Sequence, residues 1–303
     1  MTRQGVATPG AEGHESSRTE NPGASIEAVA EHYDVSNEFF ALWLDESRTY
    51  SCALWQPGDT LETAQLRKID YHVEQARARG AARVLDIGCG WGSTLRRLVD
   101  VHGVQHAHGL TLSRAQAEAI TSAGDSRISV SLESWSDHVP EEPYDAIICV
   151  GAFEHFARPD ISVAEKIAGY RSFFERCHQW LKPSGWLSLQ TMVYGNALRE
   201  DLNRFIATEV SRESDLPRMA EVAEAIERRF ELVQLRNDRE DYRRTCDEYL
   251  VRLKARREKA HALVGEKTTK AYERFLSYSI LSFHVGSVDL MRMSLRRIDR
   301  PRA

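Results

Sequence analysis

Five short apolar runs constrain this chain more than any other feature. They are "ARVLDIG" (82–88), "VQHAHGLTL" (104–112), "ISVSLES" (128–134), "YDAIICV" (144–150) and "GWLSLQTMVY" (185–194). Runs of this length and aliphatic content read as buried strands. "STLRRLVDVHG", closed by Gly103, and "ISVAEKIAGYRSFFERCHQWL" read as helices between them, and Ser113 to Gln116 reads as a capping box opening another. This alternation predicts an α/β fold, a doubly wound and mostly parallel sheet with helices on both faces. Upstream, Ser36 caps a short aromatic helix, "SNEFFALWL", and "LETAQLRKIDYHVEQARARG" forms an amphipathic helix ending at Gly80. Downstream, "LNRFIATEV", "MAEVAEAIERRF", "DEYLVRLKARREKA" and "KAYERFLSYSIL" read as helices, and "FELVQLRND" and "FHVGSVDLMRMSL" as two added strands.

The first run leads into "VLDIGCGWG". Gly88, Gly90 and Gly92 let the backbone turn sharply and approach a ligand closely. Ligands of open α/β sheets bind beyond the carboxyl ends of the strands. The spacing is G-x-G-x-G rather than the G-x-G-x-x-G of dinucleotide sites. Asp86 stands just ahead of it, and a carboxylate there suits a ligand bearing an ammonium, such as the methionine end of S-adenosylmethionine. Asp86 bracing the loop, or a plain strand–helix turn, are the structural alternatives. After the second run, Thr111 and Gln116 offer neutral hydrogen-bonding groups where many nucleoside sites carry an acid; Gln116 acting only as a helix cap is the alternative.

Bulk properties exclude several classes. The net charge of −5 argues against a nucleic-acid binder. No apolar run reaches the roughly 18 residues of a membrane span, and the N-terminal stretch lacks the apolar core of a signal peptide. A cytoplasmic protein is expected. The five cysteines form no C-x-x-C pair, so free thiols are expected, with neither a disulfide framework nor a metal site.

"GAFEHF" follows the fourth run and places Glu154 beside His155, either an acid–base pair or the polar end of a buried strand. Taken in order, "EHYDVSNEFF", "LDESRTYSCALW", "TLETAQLRKIDYH", "VLDIGCGWG", "GLTLSRAQ" and "VGAFEHF" resemble the cyclopropane fatty-acid and mycolic-acid synthase family of methyltransferases. The resemblance runs from residue 30 to about 295 and implies a class I, Rossmann-like methyltransferase with S-adenosylmethionine as donor. Residues 1–24, rich in Gly, Ser, Thr, Pro and Glu, read as a disordered tail, and the rest divides into an N-terminal helical cap (25–80), a cofactor-binding core (81–195) and a helical acceptor cover with C-terminal core strands (196–303). The resemblance places cofactor contacts on Tyr50, Ser51, Asp86, Gly88, Gly90, Trp91, Leu112, Thr111, Gln116 and Trp135. It places the family's bicarbonate or proton-acceptor site on Cys52, Glu154 and Tyr242, with a backbone contribution near Met192; His155, beside Glu154, is the further catalytic candidate. Tyr33, Phe153, Gln190 and Tyr242 would face the substrate, a small hydrophobic acceptor, and a homo-oligomer is expected.

One departure shapes the expectation about the acceptor. The family carries a histidine where "SLQTM" places Gln190, and glutamine is never cationic. The family's glycine-rich stretch after "FIATEV" is also replaced, by "SRESD". An alkene methylated here passes through a carbocation, which aromatic faces stabilise. Without the histidine, the cation is expected to end otherwise than as a cyclopropane. The expected acceptor is therefore a prenyl side chain of a terpenoid or indole-terpenoid metabolite, of the teleocidin-pathway type. Cyclopropanation of unsaturated acyl lipids is the first alternative. An N-methyltransferase using the Glu–His pair as base, and a scaffold that only binds, are the others.

Overall fold

The structure is a computed structural model, and it describes Gly23, residues 35–201 and residues 213–300. Tyr33, the helical start expected near Ile26 and the helix expected over "LNRFIATEV" lie outside the described residues.

The described elements run α1 (Asn37–Ala41), α2 (Leu61–Gln75), β1 (Arg83–Ile87), α3 (Ser93–Asp100), β2 (His106–Thr111), α4 (Arg114–Thr121), β3 (Ile128–Leu132), β4 (Tyr144–Val150), α5 (Val163–Trp180), β5 (Leu181–Tyr194), α6 (Met219–Ala225), β6 (Phe230–Asn237), α7 (Arg239–Ala255), α8 (Arg257–Val285) and β7 (Val288–Arg297). A single turn of 3₁₀ helix, Phe153–His155, follows β4. The sheet has seven strands in the order β3-β2-β1-β4-β5-β7-β6. β1 to β5 are parallel, and β7 runs antiparallel between β5 and β6. The strand order reverses between β1 and β4, and a cleft at their carboxyl ends follows from that reversal.

Three buried clusters hold the layers. Phe153, Phe173, Phe174 and Trp180 pack with Leu187 and Leu189 on one face of the sheet. Ile69, Val73, Leu95 and Leu98 pack with Val84, Ala146 and Ile148 on the other. Phe39, Phe40, Trp43, Trp91, Tyr249, Tyr272 and Phe283 join α1, α7 and α8 into a third, largely aromatic cluster. Because Ile69 and Val73 form part of the wall beneath β1 and β4, α2 shares the core of the sheet.

Element ends depart from the sequence reading where left-handed residues intervene. Phe283–Val285 end α8, since Gly286 at φ 74° stops the helix before β7 begins. Likewise α6 stops at Ala225, and Arg228 at φ 62° turns the chain so that Phe230 starts β6. The expected capping box at α4 is half formed. Ser113 accepts from the Gln116 amide at 3.2 Å, whereas the Gln116 side chain bonds Thr111.

Two glycines set how closely β1, β2 and β4 converge. Gly88 adopts φ 77°, and a Cβ there would lie 2.5 Å from that of Ala152. A Cβ on Gly109 would lie 2.6 Å from Cys89 Sγ and 2.8 Å from Leu95 Cδ1. Gly109→Ala is therefore expected to lose about 1–3 kcal/mol by overpacking. Urea unfolding measures this, and an unchanged midpoint contradicts the packing described.

Candidate active site

The glycine loop is held open by backbone bonds from both Gly88 (2.9 Å) and Cys89 (3.0 Å) to the Leu110 carbonyl. It frames a cleft of about 950 Å³ with its open mouth included. Tyr50, Ser51, Asp86, Gly88, Gly90, Trp91, Thr111, Leu112, Gln116 and Trp135 all line this cleft, as do Lys68 and His155. Thr111 Oγ1 donates to Gln116 Oε1 at 2.7 Å, which fixes both groups at the end of β2. Asp86 is buried at the end of β1, and that burial pushes its carboxyl up to about 7. An ammonium arriving beside it would restore the charged form.

Tyr50 and Ser51 reach the cleft because residues 49–53 are clamped from three elements. Gln65 on α2 donates to the carbonyls of Thr49 (3.2 Å) and Ser51 (2.8 Å). The Tyr249 hydroxyl on α7 approaches the same carbonyls at 2.8 and 3.1 Å. From β7, Arg292 donates to the carbonyls of Cys52 (3.2 Å) and Ala53 (3.0 Å). The sequence reading missed Gln65, Lys68, Arg292 and Tyr249. The signal for two of them was available: Leu61, Ala64, Gln65, Lys68, Ile69, His72 and Val73 form one buried helical stripe, so Gln65, Lys68 and His72 are polar residues at core positions.

Glu154 sits in the 3₁₀ turn after β4, 4% exposed. Its Oε1 accepts the Met192 amide of β5 at 2.8 Å, while Oε2 is buried with no hydrogen-bond partner. Burial raises this carboxyl to about 7. His155 has Nδ1 2.7 Å from Ser214 Oγ, and burial lowers it to about 4; it is neutral at pH 7 and a weak base. Tyr242 on α7 stacks on Phe283 at 4.6 Å, outside the cleft lining, with its phenol raised by burial.

Three expectations are corrected by these contacts. Phe153 does not face a substrate: it stacks on Tyr170 at 4.5 Å and packs on Phe173 and Phe174 inside the core. Cys52, expected on the wall of the catalytic site, is packed inside the protein: burial pushes its thiol up to about 12 and the S–H donates to the Ala53 carbonyl at 3.1 Å. Gln190 is not a substrate contact either. Its Oε1 accepts from Arg292 Nε at 2.8 Å and lies 3.2 Å from His72 Nε2, so His72 carries its proton on Nε2 and takes one from Ser188 on Nδ1, 2.8 Å away. The cation absent at position 190 is supplied by Arg292, fully buried and paired with Asp238. Met192 N–H is engaged by Glu154, the Cys52 S–H by the Ala53 carbonyl, and Arg292 by Asp238, Gln190 and the 52–53 carbonyls. The cleft fits S-adenosylmethionine, with Asp86 for its ammonium and the space at Gly90, where a Cβ would meet nothing within 4 Å.

Comparison with known proteins extends the geometry. The family model described as mycolic acid cyclopropane synthetase matches residues 21–293. The chain is 33% identical over 291 residues to the cyclopropane mycolic acid synthase MmaA2 of Mycobacterium tuberculosis, covering 90% of this chain and 97% of that protein. The solved structure of MmaA2 superposes with a TM-score of 0.81 at 32% identity, covering 90% of this chain and 99% of that one. The synthase CmaA1, solved with S-adenosylhomocysteine (SAH) and CTAB, gives a TM-score of 0.80 at 29% identity, with 90% and 99% covered. These relatives overturn the prenyl acceptor expected from Gln190, since they are cyclopropane synthases. A geranyl diphosphate C-methyltransferase from Streptomyces coelicolor shares 14% identity at a TM-score of 0.62, a likeness of fold alone.

Glu154 makes stability depend on pH. Burial holds the folded carboxyl near 7 against 4.5 for an ordinary glutamate. Below the lower value both folded and unfolded chains keep the proton. As pH rises past it, the unfolded chain releases its proton first, so this group's contribution is lost as pH climbs through the folded value. Glu154→Gln does not titrate and is expected to gain on the parent between about pH 5 and pH 8, by at most about 3 kcal/mol. Urea unfolding at both pH values measures it, and a difference independent of pH contradicts it.

Proposed function

Because the chain belongs to the mycolic acid cyclopropane synthetase family, we propose that it converts a carbon–carbon double bond of an unsaturated acyl chain into a cyclopropane, with S-adenosylmethionine as methyl donor. The observation that carries this reading is one cleft lined by the glycine loop, Tyr50, Ser51 and Gln116, with the buried carboxylate of Glu154 just outside the lining, between the lining residues Ala152 and His155. The family is one of methyltransferases, and the names of its relatives support the acyl acceptor.

The donor supplies an electrophilic methyl group. The protein's share of the chemistry is placement, exclusion of water and handling of one proton. The aromatic cluster of Phe40, Trp43, Tyr50, Trp91 and Tyr272 lies beside the cleft, and such faces favour a passing positive charge. After methyl transfer the acceptor carries a carbocation. Ring closure forms the new carbon–carbon bond as one proton leaves the added methyl, so the product gains one CH₂ overall. Glu154 receives that proton on Oε2, the oxygen with no protein partner. His155, held neutral, lines the wall.

Two outcomes follow. Incubation with S-adenosylmethionine and an unsaturated phospholipid is expected to add one CH₂ by mass spectrometry, with cyclopropane protons by NMR; an added methyl with a retained or shifted double bond contradicts the reading. Glu154→Gln is expected to lower turnover by about 10²-fold or more while changing SAH affinity by less than about twofold. Turnover of the parent should rise with pH about an apparent pKa near 7, since only the ionised carboxylate accepts the proton. A flat profile contradicts Glu154 as the base.

A further inference from the structure

His108 stands half-buried in the middle of β2, paired in register with Ser129 of β3. Ser129 and Ser131 share one face of β3, as residues two apart on a strand do. Their hydroxyls lie 2.6 and 3.3 Å from Nδ1 and Nε2 of His108. His138, in the segment after β3, stacks on that ring with centroids 5.4 Å apart. Its Nδ1 lies 2.7 Å from Glu133 Oε1, and its Nε2 lies 3.1 Å from the Tyr144 hydroxyl. One ligand atom from each of His108, Glu133 and His138 lies within 4.8 Å of those from the other two. Among the described residues, this is the one such group of histidine, cysteine and acidic side chains.

Two imidazoles and a carboxylate suit a borderline divalent metal, Zn²⁺ above all, whereas Mg²⁺ and Ca²⁺ take oxygen ligands. A tetrahedral Zn²⁺ with bonds of about 2.1 Å holds its ligand atoms about 3.4 Å apart, so small side-chain rotations close this set. A ligating histidine donates its other N–H to a neighbouring oxygen, which fixes the ring. Tyr144 stands ready for His138 in this way, and a serine for His108. His138 is buried while the Glu133 side chain is 33% exposed, so the set is held from within and open to an ion from without. We propose that His108, Glu133 and His138 bind a Zn²⁺ ion, with a fourth position left to water. The ion takes the place of the hydrogen bond between Glu133 and His138. It ties β2 to the segment whose Glu133, Ser134 and Trp135 line the cleft. The expectation of no metal site came from the cysteines, and these ligands lie outside that pattern.

The test is titration of the chelator-treated protein with ZnCl₂ alone, by calorimetry, on the parent and two single variants. Glu133→Gln keeps an oxygen for His138 and removes the carboxylate charge; His108→Asn removes the half-buried imidazole. The parent is expected to take up a single Zn²⁺, and both variants to bind it about tenfold or more weakly. The parent's thermal midpoint should rise with zinc, and those of the variants much less. Unchanged zinc affinity in either variant marks adventitious binding at other side chains and overturns the proposal, as does a parent that binds no zinc. Should a variant fail to fold, anomalous scattering from zinc-soaked crystals of the parent decides. Density among the three side chains supports the site; density only elsewhere, or none, overturns it.

Discussion

Residues 49–53 are a loop that runs through the protein interior, and a buried loop must have its backbone polar groups satisfied. Here side chains from three elements far apart in the chain supply the partners: Gln65 from α2, Tyr249 from α7 and Arg292 from β7. Thr245 adds an acceptor for the Ala53 amide at 3.1 Å. Each bond is modest alone; the carbonyls of Thr49 and Ser51 share Gln65 and Tyr249, whereas that of Cys52 depends on Arg292, and stripping a buried carbonyl of its partners costs more than a bond contributes. The loop therefore ties the helices α2 and α7 to the sheet and fixes Tyr50 and Ser51 on the cleft. The cleft wall and helix α7 share one clamp.

The same region concentrates charge where the sheet is dry. Arg292 is fully buried against Asp238, Lys68 lies beside Ser51, and Glu154 holds one oxygen without a partner. Replacing such groups with apolar side chains of similar size would not harm a purely structural core. Their retention around one cleft fits a site, where perturbed carboxyl and ammonium groups concentrate. Arg292 also accounts for Gln190. A second cation beside a buried guanidinium would be repelled, whereas an amide carbonyl accepts from it.

Much of this was legible in the sequence because it is local. The strand runs, the glycine loop and Asp86 lie within a few residues of one another, and their spacing alone places the cofactor residues at strand ends. The stripe from Leu61 to Val73 also marked Gln65 and Lys68 as buried. What was not legible depends on pairs distant in the chain. Arg292 meets Gln190 across 102 residues and Cys52 across 240, and no periodicity announces either contact. Read without Arg292, Gln190 suggested a lost charge and a different acceptor; with it, the charge is seen to come from another strand. Phe153 misled in the opposite way, since its neighbours Ala152 and His155 line the cleft while its own ring faces the core.

The claim on which the account turns is that the clamp on residues 49–53 forms the cofactor cleft before any ligand binds. Tyr249 bonds two carbonyls of that loop but does not itself line the cleft. The measurement is SAH affinity of Tyr249→Phe by calorimetry, a variant that removes one hydroxyl and keeps the ring. The account predicts an affinity loss of about tenfold, since the one hydroxyl that the Thr49 and Ser51 carbonyls share with Gln65 is removed and the hold on Ser51 is weakened. Unchanged affinity in a folded variant would contradict it.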